Sequence, residues 1–390
     1  MLDAWIGDAC ALLILAASAF MWSRGWVPRL SESPSIELPE LDEVQVRYAT
    51  RYRLRFALFV LVPVLLVAYF AARIVMVGPE PVAGPDTGQF LGWATAIVTT
   101  STSAGLVARL MSEERLARTH PPLADAVPPL GRRAVKLVPL LVVLAIIAIG
   151  GLVPGRLMGA AIMAVGFVML VVVTKIYQRS LSARRHEVPW DDPLGQHLAP
   201  VMEKCGFKPK KLVLLPNLVA NALALPDGSA LITTALRVIA SDDEIAAIFA
   251  HEISHLKDGD VKKLLNRGQL ARLPIAVIVA LPTVLGRHSS FGPYLPPVAI
   301  GSIFLAVIAG NLWAARLSHM LEYKCDATAK SLGLGDELAA GLIKISRYTG
   351  LPANWIGLDR FTLSHPALAE RVNRLTDGRL DLSKETAATA

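Results

Sequence analysis

Three side chains able to hold and use a divalent metal stand within five residues of one another: His251, Glu252 and His255, in the stretch AAIFAHEISHLKDGD from Ala246 to Asp260. They interrupt an apolar stripe of Ile245, Ile248 and Phe249, where unpartnered polar groups are costly to bury. On a helix, positions i and i+4 lie one above the other, so two imidazoles four apart can share one corner of a tetrahedral zinc site. Glu252 falls about 100° around the axis, beside such an ion rather than on it. That is the place for a general base acting on a water whose pKa the metal lowers towards about 7. The alternative is a pair of exposed histidines or a satisfied core pair, and a carboxylate beside them on an apolar helix makes that costly.

A catalytic zinc takes three protein ligands and keeps one position open. A third His in the spacing H-E-x-x-H-x-x-G-x-x-H is excluded, because Asp258 and Val261 occupy the Gly and His positions. A downstream carboxylate is the other source, and Glu322-Tyr323-Lys324-Cys325-Asp326 offers two, one turn apart. Glu322 would complete the ligand set and Asp326 could hold the free N–H of a ligand histidine. The same pair also fits an ordinary solvated acidic helix face.

The elements that position these residues are marked in the chain. Ser241-Asp242-Asp243-Glu244 is a capping box that starts a helix just before the stripe, with acidic residues in its first turn. Upstream, Asp192 to Cys205 reads as a helix and Lys211 to Leu215 as a strand. Asn221 to Leu225 and Ala230 to Thr234 form a hairpin about Pro226-Asp227-Gly228. This is a small α/β module spanning residues 179–272.

The rest of the chain is built for lipid. It is 53% hydrophobic and 18% charged with a mean hydropathy of +0.48, against roughly 25% charged residues in a soluble domain. Runs near the ~20 residues needed to cross a bilayer occur at Ala4 to Trp26, Phe56 to Gly78, Phe90 to Leu110, Ala134 to Val153 and Leu157 to Tyr177. The first carries Asp3 and Asp8 in place of a basic leader and shows no clear cleavage site, so it reads as an uncleaved helix. Arg24, Arg29, Arg47, Arg51, Arg53 and Arg55 follow the first run. Arg109, Arg115, Arg118, Arg132, Arg133 and Lys136 follow the third. The loop after the second holds Glu80 and Asp86 with no cation. Retention of cations on the cytoplasmic side puts the N-terminus outside and the α/β module inside.

Phe291 to Ala315 is a further span, whereas Leu273 to Gly286 is short and contains Pro274 and Pro282. If Glu322 is to meet His251 and His255 on one side of the membrane, both stretches must cross, giving seven spans. The resulting plan is a membrane region over 1–178, the first part of a peptidase domain over 179–272 and a helical hairpin over 273–317. The second part of the domain follows over 318–376, with a flexible tail over 377–390. The net charge of +7 does not point to nucleic acid, because aromatics do not interleave with the basic residues. Cys10, Cys205 and Cys325 are too few and too far apart for a disulfide framework.

Four runs carry a family resemblance: PNLVANALALPDGSALIT, SDDEIAAIFAHEISHLKDGD, SHMLEYKCDATA and SHPALAERVNRL, in order between Trp190 and Leu375. They resemble the membrane zinc metallopeptidases that include the HtpX-type quality-control proteases and the CAAX prenyl proteases. The fold class implied is mainly α, a polytopic membrane protein with a small cytoplasmic zincin-like α/β domain. The resemblance implies one zinc per chain on His251, His255 and Glu322, Glu252 as base, and Asp326 as the carboxylate orienting a ligand. It also implies that Asn221 and Ala222 lie on an edge strand that pairs with substrate backbone, and that His365 and Arg371 stabilise an oxyanion. For Asn221 the local alternative is capping its own turn, and for Arg371 a surface pair with Glu370.

Two positions depart from the family pattern: His319 stands where Arg is usual and Cys325 where Ala is usual, and neither is expected to touch a ligand. The span count is closer to that of the prenyl proteases. Thr119-His120-Pro121-Pro122-Leu123-Ala124 partly echoes Ser364-His365-Pro366-Ala367-Leu368-Ala369 and reads as a proline-rich loop.

The function expected is a zinc endopeptidase acting on membrane or membrane-proximal polypeptides, placed by the absence of a retention signal such as KDEL in a bacterial cytoplasmic membrane. The competing readings are a signalling metalloprotease cutting one regulator and an inactive membrane scaffold or transporter. Short outer loops argue against the first, and the lack of paired ionisable residues within the runs against the second. Purified protein is expected to hold zinc at one ion per chain and to digest casein only without a chelator; metal-free, chelator-insensitive material would favour the scaffold.

Overall fold

The computed structural model describes residues 36–56, 85–127, 186–260, 263, 295–357 and 359–382, with scattered positions between 142 and 172. The runs at Ala4 to Trp26, Phe56 to Gly78, Ala134 to Val153, Leu157 to Tyr177 and Leu273 to Gly286 lie largely or wholly outside these residues. Among the described residues no helix is long and apolar enough to cross a membrane. Phe90 to Leu110 falls within a described helix, Pro85–Thr119. Most of Phe291 to Ala315 falls within another, Leu295–Ser331.

The chain divides into two compact units. One comprises Met1–Glu37, Ala49–Arg185 and Pro216–Leu218, the other Leu38–Tyr48, His186–Leu215 and Val219–Ala390. In the first, helix α2 (Pro85–Thr119) is followed by a 3-10 turn over Pro121–Ala126. His120 at the junction is buried, and its Nδ1 lies 2.8 Å from Thr119 Oγ1.

The second unit contains the α/β module. Helix α1 (Leu41–Phe56) contributes its first half. Then come β1 (His186–Val188), α3 (Pro193–Cys205), β2 (Leu212–Leu215), β3 (Ala222–Ala224), β4 (Ala230–Thr233), α4 (Thr234–Ile239) and α5 (Asp242–Asp258). After residue 295 follow α6 (Leu295–Ser331), α7 (Gly335–Thr349), α8 (Asp359–Thr362) and α9 (Leu368–Leu375). The strands lie in the order β1-β2-β4-β3, with β2 and β4 parallel and the other pairs antiparallel. β3 is therefore an edge.

The expected hairpin joins β3 to β4. Gly228 turns the chain at φ 91°, a region open to glycine, and Asp227 Oδ1 accepts from Ser229 N at 2.9 Å. Helix α5 is the centre of the unit, with α3, α6 and α7 packed on it. Ile245, Ala247, Phe249, Ala250 and Ile253 are buried to 1% exposure or less, so its apolar stripe forms core on more than one side. Gly341 lets α7 approach closely: a Cβ there would meet Ile248 Cδ1 at 3.0 Å.

Both halves of the capping box form. Ser241 Oγ accepts from Glu244 N at 3.3 Å and Glu244 Oε2 accepts from Ser241 N at 2.8 Å. Lys344 Nζ adds a bond to the same Glu244 oxygen at 2.8 Å, so the start of α5 is also tied to α7. At the other end Gly259 adopts φ 66° and its N–H reaches back to the carbonyls of His255 and Leu256, closing the helix as a left-handed cap does.

The start of the expected flexible tail is held instead. Leu382 is 3% exposed, Asp377 pairs with Lys330, and Arg379 grips Asp336 with contacts of 2.7 and 2.9 Å. Residues 383–390 lie outside the described set. Removing the cap by Ser241→Ala should cost about 1 kcal/mol, read as a lower midpoint of thermal or denaturant unfolding; an unchanged midpoint would mean that packing alone fixes the start of α5.

Candidate metal centre

His251 and His255 emerge one turn apart on α5, 5% and 8% exposed. Their rings meet edge to face, with centroids 4.9 Å apart and planes at 80°. α6 crosses α5 so that Glu322, also buried, faces both rings. His251 Nε2 lies 3.4 Å from Glu322 Oε2, and His255 Nε2 lies 3.6 Å from Glu322 Oε1. The three residues offer ligand atoms all within 4.8 Å of one another.

These distances test whether an ion fits. Ligands about 2.0–2.1 Å from a common tetrahedral centre stand about 3.3–3.4 Å apart. The observed separations of 3.4 and 3.6 Å match that edge and exceed a normal N–H···O bond. Among the described residues Glu322 Oε2 is buried with no hydrogen bond of good geometry, its charged neighbours being His251 Nε2 and Arg371 Nη1. Two neutral imidazoles and one carboxylate are a donor set suited to zinc.

Behind the ligands stands a charged support. Asp326, one turn beyond Glu322, brings Oδ1 to 2.9 Å from His251 Nδ1. Arg371, from α9, clamps Asp326 through Nε at 2.8 Å and Nη2 at 2.7 Å, and places Nη1 at 3.2 Å from Glu322 Oε2. Its two-pronged grip suits a planar guanidinium. A carboxylate at this distance from Nδ1 favours the tautomer protonated there, which leaves the Nε2 lone pair towards Glu322.

The electrostatics favour positive charge here. Burial alone would lower the His251 imidazole, but bonds to Asp326 and Glu322 outweigh it and carry it up to about 10. Burial works to raise Glu322, yet the facing histidines, His251, His255 and His365, hold it well below the usual carboxylate range. Asp326 is likewise lowered against its burial by Arg371 and His251.

Glu252 sits beside the three ligands. Burial pushes its carboxyl up, against the lowering effect of His251 and His255. Its Oε2 accepts the Ala224 amide at 2.7 Å, which ties it to β3. On that strand Asn221 is fastened to Thr233: its carbonyl accepts from Thr233 N at 3.0 Å and its amide donates to Thr233 Oγ1 at 2.9 Å. Leu225 N donates to Ser229 O at 2.8 Å. With odd-numbered residues bonded to β4, alternation turns the main-chain groups of Ala222 and Ala224 to the open edge.

His365 is 61% exposed and its Nδ1 lies 3.2 Å from Glu322 Oε1. Its carbonyl accepts from Trp355 Nε1 at 2.9 Å. Next to it, Pro366 joins Trp313, Arg316, His319, Trp355 and Phe361 in lining an open cleft. Arg371 does not pair with Glu370, which instead bonds Arg374 at 3.1 Å; Arg371 is buried on Asp326 and Glu322.

Cys325 corrects an expectation. Its Sγ lies 3.3 Å from His255 Nδ1, so it does touch a ligand, because it shares the α6 face that meets the last turn of α5. His319, by contrast, places Nε2 at 2.9 Å from the Leu363 carbonyl. Three participants were not read from the sequence: Cys325, the Ala224 amide and Asp260, whose Oδ2 lies 3.6 Å from His255 Nδ1. An aspartate directly after a helix-closing glycine was the available signal for Asp260.

Residues 191–378 match the model of peptidase family M48. Protease HtpX homologs of Burkholderia mallei strain SAVP1 and Burkholderia pseudomallei strain K96243 are each 28% identical over 190 residues, covering 43% of this chain and 67% of the relative. The crystal structure of S. mikatae Ste24p overlaps 94% of this chain and 99% of its own, with a TM-score of 0.49 and 18% identity.

Arg371→Leu leaves two buried carboxylates short of their counter-charge and should destabilise the unit by about 3–5 kcal/mol. Thermal unfolding measures this; a loss below about 1 kcal/mol would show that the carboxylates find another partner.

Proposed function

We propose, from the match of residues 191–378 to the model of peptidase family M48, that this chain is a member of that family and a zinc-dependent endopeptidase cutting membrane or membrane-proximal polypeptides. The observation that carries the reading is the convergence of His251 Nε2, His255 Nε2 and Glu322 on one point, with Glu252 alongside.

His251, His255 and Glu322 would hold the ion. Zinc, when bound, supplies a Lewis acid that polarises a peptide carbonyl and lowers the pKa of a water. Glu252 takes the proton from the attacking water and returns it to the leaving amine, and a carboxyl raised by burial suits both transfers. Asp326 holds His251 in register, and Arg371 holds Asp326 and Glu322. The exposed ring of His365 is the group able to turn towards an oxyanion; Arg371 acts through the carboxylates it grips.

Substrate enters as a strand. The edge-facing main-chain groups of Ala222 and the Ala224 carbonyl extend the sheet by β-augmentation, with Asn221 anchoring the strand from behind. Because Glu252 accepts the Ala224 amide, the edge and the base are in direct contact, which sets the scissile bond beside Glu252. An edge that reads backbone accepts many sequences, which suits a protease of extended or unfolded segments better than one tuned to a single side chain.

The apolar runs place the enzyme in a lipid bilayer, and the basic loops orient the N-terminus outside with the domain and C-terminus in the cytoplasm. A bacterial cytoplasmic membrane is the proposed setting. Glu252→Gln should abolish casein cleavage while zinc content stays at the wild-type level; cleavage persisting in that variant would reject Glu252 as the base.

A further inference from the structure

His255 Nδ1 is turned away from Glu322 into a closed corner of the domain. Cys325 Sγ lies 3.3 Å from it and Asp260 Oδ2 lies 3.6 Å from it. Both residues are 0% exposed. Asp260 Oδ1 takes Lys263 Nζ at 3.0 Å, but Oδ2 has no hydrogen-bond partner among the described residues. A buried carboxylate oxygen left without a donor is costly, and the His255 Nδ1 edge stands 3.6 Å from this one, longer than a formed hydrogen bond.

The backbone explains how Asp260 arrives there. A continued α-helix would carry position 260 about 140° around the axis from His255. Gly259 ends the helix at φ 66°, and the reversal folds residue 260 back against the last turn. Cys325 is the poorer partner, because a thiol sulfur accepts hydrogen bonds weakly.

We infer that Asp260 is the positioning residue for His255. Its Oδ2 accepts the Nδ1 proton, so that Nε2 keeps its lone pair towards Glu322, while Cys325 fills the corner and excludes water. Asp260 thereby does for the second imidazole what Asp326 does for the first, from a different element and without a guanidinium behind it. The inference rests on the proposed metal-holding role of His251, His255 and Glu322, and it gives a role to the residue that ends the run SDDEIAAIFAHEISHLKDGD.

The test uses the full chain purified in detergent, with zinc affinity read by competition against a chromophoric chelator. Asp260→Asn should weaken zinc binding about 10- to 100-fold, and Asp260→Glu, which keeps the charge, should recover part of the loss. Affinity equal to wild type in Asp260→Asn, or a larger loss in Cys325→Ala than in Asp260→Asn, would overturn the role. Should Asp260→Asn fail to fold, the zinc-loaded wild type decides: with ¹⁵N-histidine labelling, two strongly downfield imidazole N–H protons are expected, and only one would overturn the inference. A wild type that binds no zinc, or a His251→Ala variant that binds it fully, would instead remove the metal-holding set, so the two failures are distinguishable.

Discussion

Glu322 and Asp326 stand one helical turn apart on α6, 6% and 3% exposed, and two anions cannot be kept so close and so dry without positive charge around them. Desolvating each carboxylate costs several kcal/mol, and their mutual repulsion adds to it. Arg371 answers one charge, gripping Asp326 and leaning on Glu322. The remaining charge faces the α5 rings, and the two carboxylates raise the His251 imidazole despite its burial. A divalent cation held by the same rings would meet it better. The placement of α5, α6 and α9 follows from this balance, since each contributes one part of it.

The sheet is tied into the same centre. β3 occupies an edge, and the Ala224 amide that would otherwise be open to solvent is bonded to Glu252 at 2.7 Å. An edge strand is a liability for aggregation unless covered or used. Here one of its donors is engaged by the very carboxylate assigned to proton transfer. On the proposed reading, substrate pairing and catalysis meet at one hydrogen bond, and α6 also lines the cleft that Pro366 borders.

Much of the centre was legible in the sequence because it is written in local spacing. The i, i+4 histidines, the capping box at Ser241 and the Pro226-Asp227-Gly228 turn each depend on a few neighbouring residues, and each forms as read. Glu322 and Asp326 were legible as a carboxylate pair one turn apart. What escaped depends on tertiary contact. β1, only His186–Val188, is too short to show alternation and exists through its pairing with β2. Helix α4 is six residues long and takes its start from Thr233 at the end of β4. Nothing local separates Arg371 from Arg374, yet α9 turns the first inward to Asp326 and the second outward to Glu370. Asp260 and Cys325 reach His255 only because a glycine reverses the chain and a second helix crosses it.

X-ray absorption at the zinc edge of the purified, zinc-loaded chain probes the centre most directly. The account predicts a four-coordinate shell of nitrogen and oxygen only, at about 2.0–2.1 Å, with the outer-shell scattering of two imidazoles. A sulfur scatterer at about 2.3 Å would put Cys325 on the metal, and a shell without imidazole would separate the ion from His251 and His255; either result would contradict it.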